Sequence, residues 1–239
     1  MRLLVSVQSV EEARIARAGG ADIVDAKDPA QGALGPVGSG VLAEIRAALP
    51  GEVPVSAALG DVRSVAEVER ALRDLPPGLA FVKLGFAGVD DPRLVEQLLS
   101  AAVEQAARQP GAPKVVAVAF ADRASEGDLV PSAFPALIAR SGAHGLLVDT
   151  ARKQGGTLRD HLAPGALRLL GAALGERGLL YALGGSLSAE DVPLARSAGA
   201  DVLGVRGAVT AGVRTDVIDG GRVAALAARV HGGLAASLH

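Results

Sequence analysis

Short runs of aliphatic residues recur along the chain, and each is followed by a longer stretch in which apolar positions return at helical spacing. The runs fall at 3–7, 22–26, 53–57, 80–84, 114–119, 145–149, 179–183 and 201–205. Buried strands alternating with amphipathic helices are the signature of β-α units around a parallel sheet. Eight strands are what a closed barrel requires. The predicted fold class is therefore α/β, a single (β/α)8 TIM barrel over residues 1–239. A doubly wound open sheet is the alternative, and the even spacing disfavours it.

Helix starts support the alternation. Ser9, Ser64 and Ser188 each precede an apolar-periodic stretch and have a carboxylate three residues on, the pattern of a capping box. The strings Ala-Gly-Gly-Ala-Asp at 18–22 and Ala-Gly-Ala-Asp at 198–201 repeat a helix stop that leads into a strand.

Composition narrows the function. Of 239 residues, 49% are of hydrophobic type, 31 are glycine and only 2% are aromatic, so Ala, Val, Leu and Ile must build the core. A net charge of −2, with no basic run, argues against nucleic acid as a partner. The absence of cysteine excludes disulfides, zinc-thiolate sites and thiol nucleophiles. The amino terminus is unlike a signal peptide and no apolar stretch approaches bilayer length, so a soluble, cytoplasmic protein without membrane contact is expected. The four histidines show no ligand-like spacing, so no metal is expected. The alanine-rich, leucine-containing helix expected at 223–238 offers a face for a homo-oligomer.

The chemistry collects where a barrel keeps it, at the carboxyl ends of the strands. In Asp-Ile-Val-Asp-Ala-Lys-Asp-Pro at 22–29, the alternation puts Ile23, Asp25 and Lys27 on one face. The strand thus begins apolar and ends in opposite charges. A salt bridge closing a strand is the bland reading, and a working amine is the sharper one. Lys83 ends the fourth strand and Asp149 the sixth, with Lys153 just beyond. Alternate strands share interior layers, so Asp25, Lys83 and Asp149 are expected to converge, with Lys27 at the mouth. Lys114, Asp22, Asp201 and His144 open strands and are expected to serve structure.

Several lysines and two aspartates in one pocket suit chemistry on a small anionic carbonyl compound. A neutral lysine amine attacks a carbonyl, the iminium acidifies the adjacent carbon, and an aspartate moves the proton. Pattern alone does not choose the lysine; Lys83, inside a strand, stands in the usual place. After the seventh strand come Gly184, Gly185 and Ser186, and after the eighth Gly204, Arg206 and Gly207. Barrels often bind phosphate with backbone N–H groups there, and Arg206 is expected to add charge. The loop 28–38, beside Lys27, reads as a mobile cover, an anion cradle or an ordinary flexible loop. The charges of 122–131 read as solvated.

At these residues the chain resembles the (5-formylfuran-3-yl)methyl phosphate synthases of methanofuran biosynthesis. The resemblance lies in residues 22–29 with Gly32 and Gly35, Val-Lys-Leu-Gly at 82–85, Leu-Val-Asp-Thr-Ala-Arg-Lys at 147–153 and Ala-Leu-Gly-Gly-Ser-Leu at 182–187. It covers nearly the whole chain, and no charged position of these motifs departs. Alanine at 26, where valine would be expected, is on the outward face. The resemblance implies a class I aldolase-like lyase, acting on carbon–oxygen bonds of phosphates. It would condense two molecules of glyceraldehyde 3-phosphate to the furan phosphate with loss of phosphate and water. It implies Lys27 as the Schiff-base lysine, with Asp25, Lys83, Asp149 and Lys153 in the same active site. No cofactor is implied by any motif. The rival readings are another Schiff-base phosphosugar aldolase or isomerase, which its product would identify, and a non-catalytic phosphometabolite-binding barrel, which would bind without an imine.

Overall fold

The computed structural model describes residues 1–152 and 155–232. Its eight parallel strands are β1 (Arg2–Val7), β2 (Ile23–Ala26), β3 (Val55–Asp61), β4 (Phe81–Gly85), β5 (Lys114–Phe120), β6 (Gly145–Asp149), β7 (Leu180–Leu183) and β8 (Val202–Val205). They pair in chain order and close, β8 against β1. The helices outside are α1 (Val10–Ala18), α2 (Ser39–Ala47), α3 (Val65–Ala71), α4 (Pro92–Ala107), α5 (Phe134–Ser141), α6 (Leu158–His161), α7 (Pro164–Gly175), α8 (Val192–Ser197) and α9 (Gly220–His231).

Strand alternation divides the core in two. Val5, Val24, Ala26, Val82, Leu84 and Val148 face outward and pack under the helices. Ile23, Val116, Val118, Leu147, Ala182 and Val202 face inward and fill the barrel below the site. Ala26 sits on the outer layer as expected, so a smaller side chain there alters helix packing and leaves the interior unchanged. Each fully buried aliphatic side chain contributes about 1.5–3 kcal/mol.

The repeated Gly-Ala-Asp strings have a specific job at the amino ends of the strands. Asp22 donates its N–H to the Leu3 carbonyl at 2.9 Å, and its carboxylate accepts the Leu3 N–H at 2.7 Å. Asp201 does the same with Tyr181, at 2.8 and 2.9 Å. Each aspartate therefore completes the pairing of a neighbouring strand where the ladder has run out. That is the structural role expected of both.

The capping serines accept as predicted, Ser9 from the Glu12 N–H and Ser64 from the Glu67 N–H. Only Ser188 forms the full reciprocal box, with Asp191. Glu12 and Glu67 reach one residue further back, to the N–H groups of Gln8 and Arg63. β3 runs to Asp61, past the predicted end at 57, through a register irregularity between Ala58 and Asp61. The helix expected at 223–238 is α9, and its apolar residues Val223, Leu226, Ala227 and Val230 are buried within this chain. Residues 233–238 of that expectation lie outside the described residues. Among the described residues no helix is long and apolar enough to cross a membrane.

Candidate active site

The inward face of β2 carries Ile23 and then Asp25. Lys27, one residue past the strand, still extends the ladder by donating its N–H to the Val7 carbonyl at 2.8 Å. Lys83 arrives from β4 and Asp149 ends β6. All four charged residues are buried: Asp25 is 0% exposed, Lys83 and Asp149 4%, and Lys27 7%. Charges this deep are costly unless they are paired and hydrogen-bonded.

Part of that compensation is direct. Lys83 Nζ lies 2.7 Å from Asp25 Oδ2, and Ser6 Oγ donates to the same oxygen at 2.9 Å. Ser6, Asp25 and Ser56 are register partners on β1, β2 and β3, so one interior row holds hydroxyl, carboxylate and hydroxyl. Asp25 Oδ1 and Ser56 Oγ are buried without a hydrogen-bond partner among the described residues. The row thus presents an acceptor oxygen beside a hydroxyl. Asp149 Oδ1 accepts the Thr150 N–H at 2.7 Å.

Lys27, Lys83, Asp149, Ser6 and Ser56 line a cavity of about 280 Å³ at the carboxyl ends of the strands. Gly184, Gly185, Ser186, Gly204, Arg206 and Gly207 line the same cavity. A Cβ at Gly184 would sit 3.3 Å from the Asp149 carboxyl carbon, so glycine lets this loop approach the aspartate. Gly185 and Ser186 both have positive φ, 91° and 57°. For serine that conformation is strained, and such strain concentrates at sites where backbone must be aimed. A short 3-10 turn at Gly207–Val209 adds leading N–H groups that have no partner within the turn.

The structure therefore brings together Asp25, Lys27, Lys83, Asp149 and both glycine loops; Lys153 lies outside the described residues. Arg206 behaves differently from the expectation. It is 5% exposed, and all five N–H groups are spent on the protein. Nε donates to the Arg214 carbonyl, and the two Nη atoms reach both Glu12 carboxylate oxygens and the carbonyls of Ser6 and Asp216, at 2.7–3.1 Å. Glu12 neutralises its charge, so Arg206 organises the loop after β8 and has no donor left for an anion.

Two further residues were invisible to sequence reasoning. Arg214 lines the cavity and donates to the carbonyls of Pro29 and Gly32 at 3.0 and 2.9 Å. Burial pushes its pKa down, and the Asp149 charge acts the other way. Asp122, expected among solvated charges, is 7% exposed. Its two oxygens accept the N–H groups of Ala151 and Arg152, each at 2.8 Å, and so anchor the segment after β6. The other charges of 122–131 are ion-paired: Arg123 with Asp128 and Glu126, and Glu126 also with Arg152. In the loop 28–38, Ala33 and Leu34 pack into the inner apolar cluster, while Ala30, Gln31, Gly32, Pro36 and Gly38 are exposed. Among the described residues no group of three or more His, Cys, Asp or Glu side chains could hold a metal ion.

A closed parallel barrel with buried amines and carboxylates beside a glycine-rich cradle at its carboxyl end defines a class, the (β/α)8-barrel enzymes. Among solved structures it resembles phosphoribosyl anthranilate isomerase from Thermus thermophilus, with TM-score 0.61, 20% identity and coverage of 98% of this chain and 100% of that one. It also resembles 3-hexulose-6-phosphate synthase from Salmonella typhimurium, with TM-score 0.60, 21% identity and coverage of 97% and 100%. At such identities the likeness establishes the barrel alone. Sequence carries the assignment further: the chain belongs to the 4-HFC-P synthase family, whose model matches residues 3–227. The (5-formylfuran-3-yl)methyl phosphate synthase of Methanosarcina barkeri is 33% identical over 224 residues, 91% of this chain and 94% of that protein. The enzyme of the same name from Methanococcus maripaludis is 37% identical over 213 residues, 87% and 89% of the two chains.

Proposed function

We propose that this chain condenses two molecules of glyceraldehyde 3-phosphate to (5-formylfuran-3-yl)methyl phosphate through a Schiff base on Lys27, in the cytoplasm, for a methanofuran-type cofactor. The observation that carries the reading is the convergence of Lys27, Lys83 and Asp149 on one pocket, with Asp25 buried behind it and paired to Lys83. Family membership supplies the reaction. Atoms balance as two trioses giving one furan phosphate, one phosphate and two waters, so no oxidant or reductant is needed.

Each step has a candidate residue. The Lys27 amine adds to the aldehyde carbon of one triose and water leaves, giving an iminium. The iminium draws electrons and acidifies the neighbouring C–H. A carboxylate takes that proton, and the electron pair released expels phosphate from the next carbon. Asp25 suits this role because Lys83 and Ser6 hold one of its oxygens and the other has no partner among the described residues. Asp149 is the second candidate. Carbon–carbon bond formation with the other triose, ring closure and loss of water follow, and hydrolysis of the imine restores Lys27. Lys83, Lys153 and the backbone of residues 184–186 and 204–207 would hold phosphate and stabilise developing negative charge.

Stoichiometry tests this reading. Purified protein given glyceraldehyde 3-phosphate should release one phosphate for every two trioses consumed and yield one furan aldehyde, followed by absorbance and phosphorus NMR. A sugar phosphate formed without phosphate release would assign a different aldolase or isomerase. Binding without turnover would make the barrel a carrier.

A further inference from the structure

Arg206 and Arg214 stand eight residues apart in the loop after β8, and they have opposite fates. Arg206 is neutralised by Glu12 and holds the backbone of Arg214 and Asp216 in place. Arg214 makes no ion pair among the described residues. Its only hydrogen bonds there are to two neutral carbonyls, Pro29 from Nη1 and Gly32 from Nη2. Two of its five N–H groups are thereby used, and the guanidinium borders the same cavity as Lys27, Asp149, Ser186 and Gly207.

Arg214 is half-buried, hydrogen-bonds only neutral carbonyls and feels the Asp149 and Asp28 carboxylates without pairing with either, so its desolvation cost is only partly recovered. An arriving anion would recover it, and a guanidinium suits a phosphate because its planar fork can donate two parallel hydrogen bonds. The glycine-rich backbone supplies N–H groups on the same side of the cavity but no net charge. The carbonyls that Arg214 already grips belong to the loop beginning at Asp28, directly after Lys27.

We propose that Arg214 is a phosphate-binding residue of this site, and that by gripping residues 29 and 32 it fixes the loop that follows Lys27 when a phosphate ester is bound. The inference rests on the function proposed above for the kind of ester, a three-carbon phosphate. Arg206 is then its positioning residue, setting the loop from which Arg214 reaches over the cavity.

The test uses calorimetric titration of the full chain with sn-glycerol 3-phosphate, which has no carbonyl and forms no imine, and with inorganic phosphate. Wild type, Arg214→Gln and Arg214→Lys are compared, with a melting curve for each. The expected result is at least about a tenfold rise in Kd for Arg214→Gln, with Arg214→Lys in between because it keeps charge but loses the fork. Should Arg214→Gln fail to fold, Arg214→Lys decides in the same titration. Kd within twofold of wild type would overturn the proposal, leaving Arg214 a loop tie that shows only in the melting curve. So would a wild type that binds neither ligand. Because these ligands bypass the imine, loss of phosphate affinity in a protein that makes no furan would keep this inference and sink the proposed reaction.

Discussion

The two ends of the barrel use the same residue types for opposite purposes. At the amino ends, Asp22 and Asp201 give their carboxylates to backbone N–H groups of neighbouring strands, and Asp22 also meets the His231 ring near the surface. At the carboxyl ends, Asp25 meets an amine, Lys83, and keeps one oxygen without a partner among the described residues. The first arrangement satisfies backbone that would otherwise lack acceptors. The second buries charge whose cost protein contacts do not fully offset, which is the pattern expected where residues are kept for chemistry. A carboxylate in a barrel is therefore informative only together with the strand end it occupies.

The comparison breaks most sharply at Lys27. Lys27→Arg should lower furan formation by at least ~10³-fold, because the guanidinium cannot form the imine, while thermal unfolding changes far less. Next comes the buried pair. Lys83→Met leaves Asp25 uncompensated and should cost about 3–5 kcal/mol in denaturant unfolding, along with activity. Adding Asp25→Asn should recover most of that stability and none of the activity. Full recovery of activity in the double variant would make the pair structural, like the aspartates at the other end.

Asp22→Ala is the converse test. Loss of the acceptor for Leu3, together with the exposed contact to His231, should cost about 1 kcal/mol and leave kcat unchanged, measured by unfolding and steady-state assay. The smallest effect concerns Asp61, a carboxylate at the carboxyl end of β3 that accepts the Ala87 N–H. The residue is exposed overall, but partial desolvation of its carboxylate, packed against Gly85, raises its pKa. A raised folded-state pKa means its contribution to stability is present below the unfolded value and lost as pH rises through the folded one. Asp61→Asn should therefore melt slightly above wild type at neutral pH, and the gap should close as the medium is acidified.

Much of this was legible because period-two alternation is local. Asp25, Lys83 and Asp149 interrupt apolar runs at strand ends, and closing eight strands is enough to bring them together. Arg206 and Arg214 were not legible for the opposite reason. Glu12, which neutralises Arg206, lies 194 residues away in sequence. The carbonyls held by Arg214 belong to a loop more than 180 residues upstream. Asp122 looked solvated because its partners are backbone N–H groups of another loop, and no pattern of side chains marks those.

The most direct measurement is intact mass and peptide mapping after borohydride reduction in the presence of glyceraldehyde 3-phosphate, for wild type and Lys27→Arg. A reduced adduct on Lys27 in the wild type, absent from the variant, is the predicted result. An adduct on Lys83 or Lys153, or none at all in protein that still turns over, would contradict the assignment of the imine to Lys27.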